Sequence, residues 1–406
     1  MPANDQRGLR NKECVMSDLP NPDIARGWSL GMAGLLAWRN LTHDRSRFVV
    51  TMVGIVFAVV LIAAELGLFL GFADSTTTII RHTQADLWIA AKGTRNFEIT
   101  VPIHDSEIYT ARSAPGVAHA EGLITQFVFW KKPTGGDESV FLVGFDLNHG
   151  IAGPWNLVAG DVEALRQPDA IAVDRLYLDK LNIQGIGNQI EINRHRARVV
   201  ALTQGIRSFT ASPWVFASAR TAQAMSGFDV SQWNYVLVTL TPDADPLRVR
   251  DALRAALPRM DVYRVEDLAT MTRDYWMFTT GAGASVLMSA LLGIIVGAVI
   301  VAQVLYATTV DHLTEFGTLR AMGAPRGFIY RVILGQALIS AIIGHGLGIA
   351  AAMALSQAST AGIVLVLVPP WLAAGLFLVT LTMCLAAAVV SIRKAMTIDP
   401  AMVFQR

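Results

Sequence analysis

The sequence predicts an α-helical membrane protein with four transmembrane helices in a one-plus-three layout and a large mixed α/β extracytoplasmic domain inserted between the first and second. Three observations predict it. Hydrophobic residues make up 53% of the 406 and charged residues only 16%, which is too apolar for a soluble enzyme. Four apolar runs are each long enough to cross a ~30 Å hydrocarbon core at ~1.5 Å per residue. Between the first and second lies a polar stretch of about 200 residues that no membrane bundle would hold.

Taken in order, residues 1–47 form a cytoplasmic tail and an interfacial amphipathic helix. The first 22 residues are polar, with Pro2, Pro20 and Pro22, and carry the composition of a disordered segment. In 24–41, Trp28, Met32, Leu35 and Leu36 fall on one helical face, while Trp38 and Arg39 suit a headgroup boundary. The alternative is that this stretch is only the first turn of the span. The first span is 48–72, too long and too far into the chain for a cleaved signal peptide. Arg39, Arg45 and Arg47 precede it closely, whereas Arg81 follows at a distance, so the N-terminus is expected inside.

The insert, 73–277, alternates strand-like runs with helical ones. Strands are expected at 85–90, 126–130, 140–145, 170–173, 189–192, 197–202 and 235–240. Helices are expected at 105–113, 175–181, 219–225 and 246–257. Strand 235–240, helix 246–257 and strand 261–265 read as a split βαβ unit. A final helix, 265–276, is expected to run straight into the second span. With 20 Lys and Arg against 23 Asp and Glu the insert is near neutral. It shows no basic stripe with interleaved aromatics, so nucleic acid is excluded as a partner.

The remaining spans are 278–308, 332–356 and 371–392. A cytoplasmic loop at 309–331 and a short extracytoplasmic connection at 357–370 join them, and a cytoplasmic tail occupies 393–406. The outer connection carries no Lys or Arg, whereas Arg320, Arg326, Arg331, Arg393 and Lys394 lie on the other side. Both termini are therefore expected in the cytoplasm. In the cytoplasmic loop, Glu315, Leu319 and Met322 lie at helical spacing before Gly323-Ala324-Pro325 stops the helix. A short helix placed there is a good target for a partner protein; a plain connecting turn is the alternative.

Three small-xxx-small pairs lie in the spans: Gly67 with Gly71, Gly293 with Gly297, and Gly344 with Gly348. They serve helix packing within the chain or a dimer seam. Glu65 and His345 are the polar intruders, costly to bury and so candidates for function. Rise per residue puts both in the middle-to-outer bilayer, where they could meet. In the blander reading, Glu65 reaches the outer interface and His345 bonds a neighbouring backbone.

Other chemistry is not encoded. His104, Asp105 and Ser106 are adjacent and point to different sides, so they make no relay. Arg194, His195, Arg196 and Arg198 read as a solvated hairpin edge. No His/Cys/Asp/Glu spacing suggests a metal site, and Cys14 and Cys384 do not suggest a disulfide framework. No G-x-x-x-x-G-K-[ST] occurs, so no catalytic residue and no bound cofactor is expected in this chain.

From about residue 35 onward the chain resembles the permease subunits of MacB/FtsX-type ABC transporters, particularly the DevC-like branch. The resemblance rests on AWRNLTHDRSRFVVTMVGIVFAVVL, on one large insert after the first span, on EFGTLRAMGAPRGFIYRVILGQALI and on the closing IRKAMTIDPAMVFQR. The stretches ADLWIAAKGTRNF and ALTQGIRSFTASPWVFAS carry the DevC-like placement. The resemblance implies a non-enzymatic subunit of a bacterial inner-membrane dimer, driven by a separate cognate ABC ATPase that carries the ATP and Mg. The roughly 35 residues before the membrane are too few to hold such an ATPase. Glu315, Gly317, Arg320, Gly323 and Ala324 would form the coupling helix that docks on it, with Arg320 pairing to an ATPase carboxylate or to lipid phosphate. Exporters of this kind use a periplasmic adaptor (a membrane fusion protein) and an outer-membrane duct to move lipid, glycolipid or other hydrophobic cargo by mechanotransmission. The rival expectation is an FtsX-like signal relay that switches on a periplasmic cell-wall hydrolase. A lipoprotein-extracting permease would have nearly the same fold.

Overall fold

A computed structural model of the chain describes residues 30–396. The polar tail, Cys14, Trp28 and the end of the closing motif lie outside them. Four helices are long and apolar enough to cross a membrane: Arg45–Ser75, Ala282–Asp311, Arg326–Ser359 and Pro370–Arg393. They flank a large mixed α/β domain, as the sequence predicts. The described residues divide into two compact units. One takes the residues up to Ile55, Val299–Gly344 and those from Phe377 on; the other takes Val56–Ala298 and His345–Leu376.

In the first unit, helix Leu30–His43 buries Ala33, Ala37 and Leu41. Ala37 lies where a Cβ on Gly335 of the third span would come within 3.2 Å. Its other face exposes Met32, Leu35 and Trp38, the apolar side an interfacial helix turns to lipid. The first span meets the second where Thr51 and Thr308 share a hydroxyl bond of 3.1 Å.

The second unit holds twelve strands in chain order: β1 Leu87–Ala91, β2 Ile103–His104, β3 Val117–Lys131, β4 Asp137–Phe145, β5 Leu157–Gly160, β6 Ala170–Asp174, β7 Gln189–Ile192, β8 His195–Thr203, β9 Trp214–Ser218, β10 Gln232–Trp233, β11 Tyr235–Leu240 and β12 Met260–Arg264. The main sheet runs β12-β1-β11-β3-β4-β9-β6-β8-β5, with β7 alongside β3 and β8. The split βαβ unit is present: β11, helix Pro246–Ala256 and β12 flank β1, which pairs antiparallel with both.

Strand β3 is the spine. Its residues up to Leu123 pair with β11, and from Ile124 onward it pairs with β4. One strand thereby joins two lobes, which share one apolar cluster on one face, Trp88, Leu123, Tyr235, Phe141 and Trp214 among it, and carry separate clusters on the other. Leu87, Ile89, Val236, Val238 and Leu253 lie on one side. Val128, Trp130, Leu142, Val173 and Val215 fill the other lobe. Gly122 sits near the handover, where a Cβ would fall 2.1 Å from the Trp233 ring. Gly122→Ala is expected to destabilise the domain by about 1–3 kcal/mol, since Trp233 must swing aside. A chemical denaturation midpoint equal to the native value would overturn that reading.

The sequence expectation for β3 was too short, because His119, Glu121 and Gly122 interrupt the apolar pattern. Strands β5 and β9 were not anticipated: β5 is an edge strand, and β9 is buried along nearly its whole length without alternation. The expected continuous helix into the second span is also corrected. Helix Val265–Asp274 passes into a π-helical turn, Tyr275–Thr279. Gly281, at φ +77°, then breaks the chain before the second span begins. The broken ends fold closely together, with the position of a Gly283 Cβ 2.4 Å from the Met277 backbone.

Candidate functional site

The helix in the loop between the second and third spans is Leu313–Ala321. It ends in a Schellman closure: Ala324 N–H donates to Leu319 O and Gly323 N–H to Arg320 O, both at 3.0 Å, with Gly323 at φ +93°. Phe316 and Ala324 are buried, whereas Thr314, Glu315, Thr318, Met322 and Gly323 face outward. Gly317 lies in the middle of the helix and Arg320 is half-buried in its last turn. Glu315 is held at its base, accepting from Asn40 Nδ2 at 3.2 Å and lying 3.1 Å from His312 Nδ1. Beside it, Arg47 and Asp311 approach to 3.6 Å. Asn40 and His312 were not singled out from sequence. The i,i+3 placement of His312 and Glu315 was the available signal.

In the second unit, one loop between β8 and β9 meets the ends of the first and third spans and, through Glu98, the approach to the second. Arg207 Nη1 donates to the carbonyls of Ser359 (3.3 Å), Thr360 (3.2 Å) and Gly362. This places a cation on the open C-terminal carbonyls of the third span, where charge and dipole agree. Phe209 N–H donates to Ser75 Oγ at 3.2 Å, and its ring meets Phe72 edge-on at 4.8 Å, both at the end of the first span. Thr210 donates to Glu98 Oε1 at 2.7 Å, while Glu98 Oε2 accepts from Trp276 Nε1 at 2.9 Å, just before the second span. Burial pushes the Glu98 carboxyl up, and the bonds from Trp276 and Thr210 pull it back.

The loop is itself braced. Buried Asp174, at the end of β6, accepts from Ile206 N–H at 2.7 Å and from Thr203 Oγ1 at 2.9 Å. Ser212 Oγ donates to Ser208 O at 2.6 Å and accepts from Ser208 N–H at 2.8 Å. Sequence reasoning missed Arg207 and Glu98 as site residues. A lone arginine in an otherwise uncharged loop, matched to an outer connection without Lys or Arg, was the only hint.

All six glycines of the small-xxx-small pairs lie against neighbours of the same chain. Gly67 and Gly71 face Val366, Leu367 and Leu365 of the outer connection. Gly293 and Gly297 face Glu65 and Ile62, and Gly344 and Gly348 face Ile55 and Val59. For Gly293, Gly297, Gly344 and Gly348 the neighbours belong to another helix, and for Gly67 and Gly71 to the connection before the fourth span. Glu65 accepts from Ser289 Oγ at 2.8 Å; His345 is half-buried in the third span.

The fold also gathers residues whose spacing gave no signal. Ligand atoms of Glu121, Asp146 and His149 lie within 4.8 Å of one another, a grouping made in space and not by sequence spacing. Glu121 is 1% exposed. Burial, and then the charge of Asp146, push its carboxyl up to about 8. His104, by contrast, caps helix Asp105–Arg112 through a box with Glu107 and belongs to no relay.

Comparisons with known proteins agree along the chain. A family model described as the MacB-like periplasmic core domain matches residues 48–256, and one described as the FtsX-like permease C-terminal matches 287–400. An uncharacterized ABC transporter permease of Mycobacterium tuberculosis is 22% identical over 373 residues, covering 91% of this chain and 98% of the relative. Another, from Mycobacterium bovis, is 23% identical over 371 residues with the same coverage. The solved periplasmic region of MacB from Actinobacillus actinomycetemcomitans is 11% identical at a TM-score of 0.37, covering 47% of this chain and 94% of that one.

Proposed function

Because the chain belongs to the MacB/FtsX family of ABC transporter permeases, whose members work with an ATPase, we propose that it converts ATP-driven motion at its cytoplasmic helix into rearrangement of its extracytoplasmic domain, and so exports a lipid, glycolipid or other hydrophobic cargo. The observation that carries this reading is the β8–β9 loop. Through Arg207, Phe209 and Thr210 it grips the third span directly, the first span directly and the approach to the second through Glu98. Displacement of any of those helix ends is delivered to one braced loop of the domain. Packed interfaces of this kind shift between discrete arrangements rather than deform smoothly.

In this reading Leu313–Ala321 is the coupling helix. Its Schellman closure and the bonds at Glu315 keep it rigid enough to transmit a push, while exposed Met322 offers an apolar tip to the ATPase. ATP and Mg stay with the ATPase, and this chain binds neither. Both termini face the cytoplasm of a bacterial inner membrane, two permease copies act together, and a periplasmic adaptor and outer-membrane duct complete the path.

The test is ATP turnover in lipid nanodiscs with the cognate ATPase, comparing the native chain with Glu315→Ala and Arg320→Ala. The native permease is expected to change turnover relative to the ATPase alone, and each substitution to abolish that change while the complex still co-purifies. Unaltered turnover in both variants would remove the helix from the mechanism.

A further inference from the structure

Glu121 stands at the handover of β3, beside the crevice that opens where β11 and β4 part. The crevice, about 560 Å³, is lined by Glu121 and Asp146 together with Arg112, Arg166 and Trp233. Neither oxygen of Glu121 meets a hydrogen-bond donor at bonding geometry, although the side chain is almost wholly buried. A buried carboxyl with so little hydrogen bonding, only the Ile151 backbone N–H lying near enough to draw it down, is costly in its charged form, and native structures retain one where something else completes it. The candidate partners are at hand. His149 Nδ1 lies 3.6 Å from Glu121 Oε2, Asp146 has its carboxylate in the same group, and the His119 ring sits 4.3 Å from that of His149.

We propose that Glu121, Asp146 and His149 form a binding site for a divalent first-row transition metal, of the zinc class, with His119 placed to approach as a further donor. The donor chemistry selects this class. Two carboxylates with an imidazole suit zinc-like ions, whereas calcium and magnesium take oxygen ligands. Tetrahedral bonds of ~2.0–2.1 Å require donor atoms about 3.3 Å apart. The present group, within 4.8 Å, needs only a modest closing movement. Exposed His149 and half-exposed Asp146 sit on the segment after β4, a turn closed by Gly150 N–H on Asp146 O and held by Arg166 through Asn148 and Leu147, so the closing movement is that of the His149 side chain. The crevice gives the ion a path. A bound ion would tie that segment to β3.

The experiment uses the full chain in detergent, tag removed, stripped with chelator and desalted, then titrated with Zn²⁺ and separately with Co²⁺. Elemental analysis after a second desalting step reads stoichiometry; visible absorption of the Co²⁺ form reads coordination. One zinc per chain is expected, with binding weakened about tenfold or more in both Glu121→Gln and His149→Ala. The Gln variant keeps the shape of the buried side chain, and the Ala variant alters an exposed one, so both are suited to fold; circular dichroism confirms it. Failure of the native chain to retain zinc, or equal retention by both variants, overturns the proposal.

Discussion

Asp174→Ala is expected to destabilise the extracytoplasmic domain by about 3–5 kcal/mol, from ~1–3 kcal/mol for each buried donor left without an acceptor. Its carboxylate is 1% exposed and takes three bonds, from Ile206 N–H, Thr203 Oγ1 and Leu176 N–H. Removing it orphans the amide that starts the β8–β9 loop, so Arg207, Phe209 and Thr210 lose their footing together. A drop of roughly 10 °C in the unfolding temperature follows for a domain of this size. Asp174→Asn keeps one carbonyl acceptor and is expected to fall between native and Ala. The idea fails if Asp174→Ala melts with the native protein, since Asp174 would then not be what holds the loop.

The second large effect is expected inside the membrane. A Cβ on Gly71 would lie 2.0 Å from the carbonyl oxygen of Leu365, a backbone atom that no rotamer change can move. Gly71→Ala must therefore displace the whole outer connection, and its cost should exceed the ~1–3 kcal/mol of ordinary overpacking. Gly346, whose Cβ position has nothing within 4 Å, supplies the matched control in another span. Thermal unfolding in nanodiscs should separate Gly71→Ala clearly from Gly346→Ala. Coincident curves would mean that the close approach of first span and connection carries no weight.

How much of this was legible in sequence depends on how far apart the cooperating residues are. The spans and the helix between the second and third of them announce themselves through local pattern: continuous apolar runs, then Glu315, Leu319 and Met322 at helical spacing before Gly323. The split βαβ unit was legible for the same reason, its helix and flanking strands being consecutive. The break at Gly281 was not, because a glycine before an apolar run reads equally as span and as hinge until its φ is known. Least legible was the β8–β9 loop. Arg207 and Gly362 are 155 positions apart, and Glu98 lies 178 from Trp276. No periodicity reports a contact of that range. Glu121 and His149 are nearer in sequence but sit on a strand and a following segment, outside any helical or hairpin ligand spacing.

The placement of β1 has a consequence for biosynthesis. Leu87–Ala91 lies between β11 and β12, pairing Leu87 with Val238 and Arg264. The earliest strand of the domain thus acquires both neighbours only after about 170 further residues have been made. Contacts so distant in sequence close slowly, because loop-closure entropy comes before any reward. Until then the fully apolar LWIAA segment is an unpaired strand exposed outside the membrane, the kind of surface that aggregates or recruits chaperones. Only when the last part of the insert, immediately ahead of the second span, has been made can β1 complete its pairing.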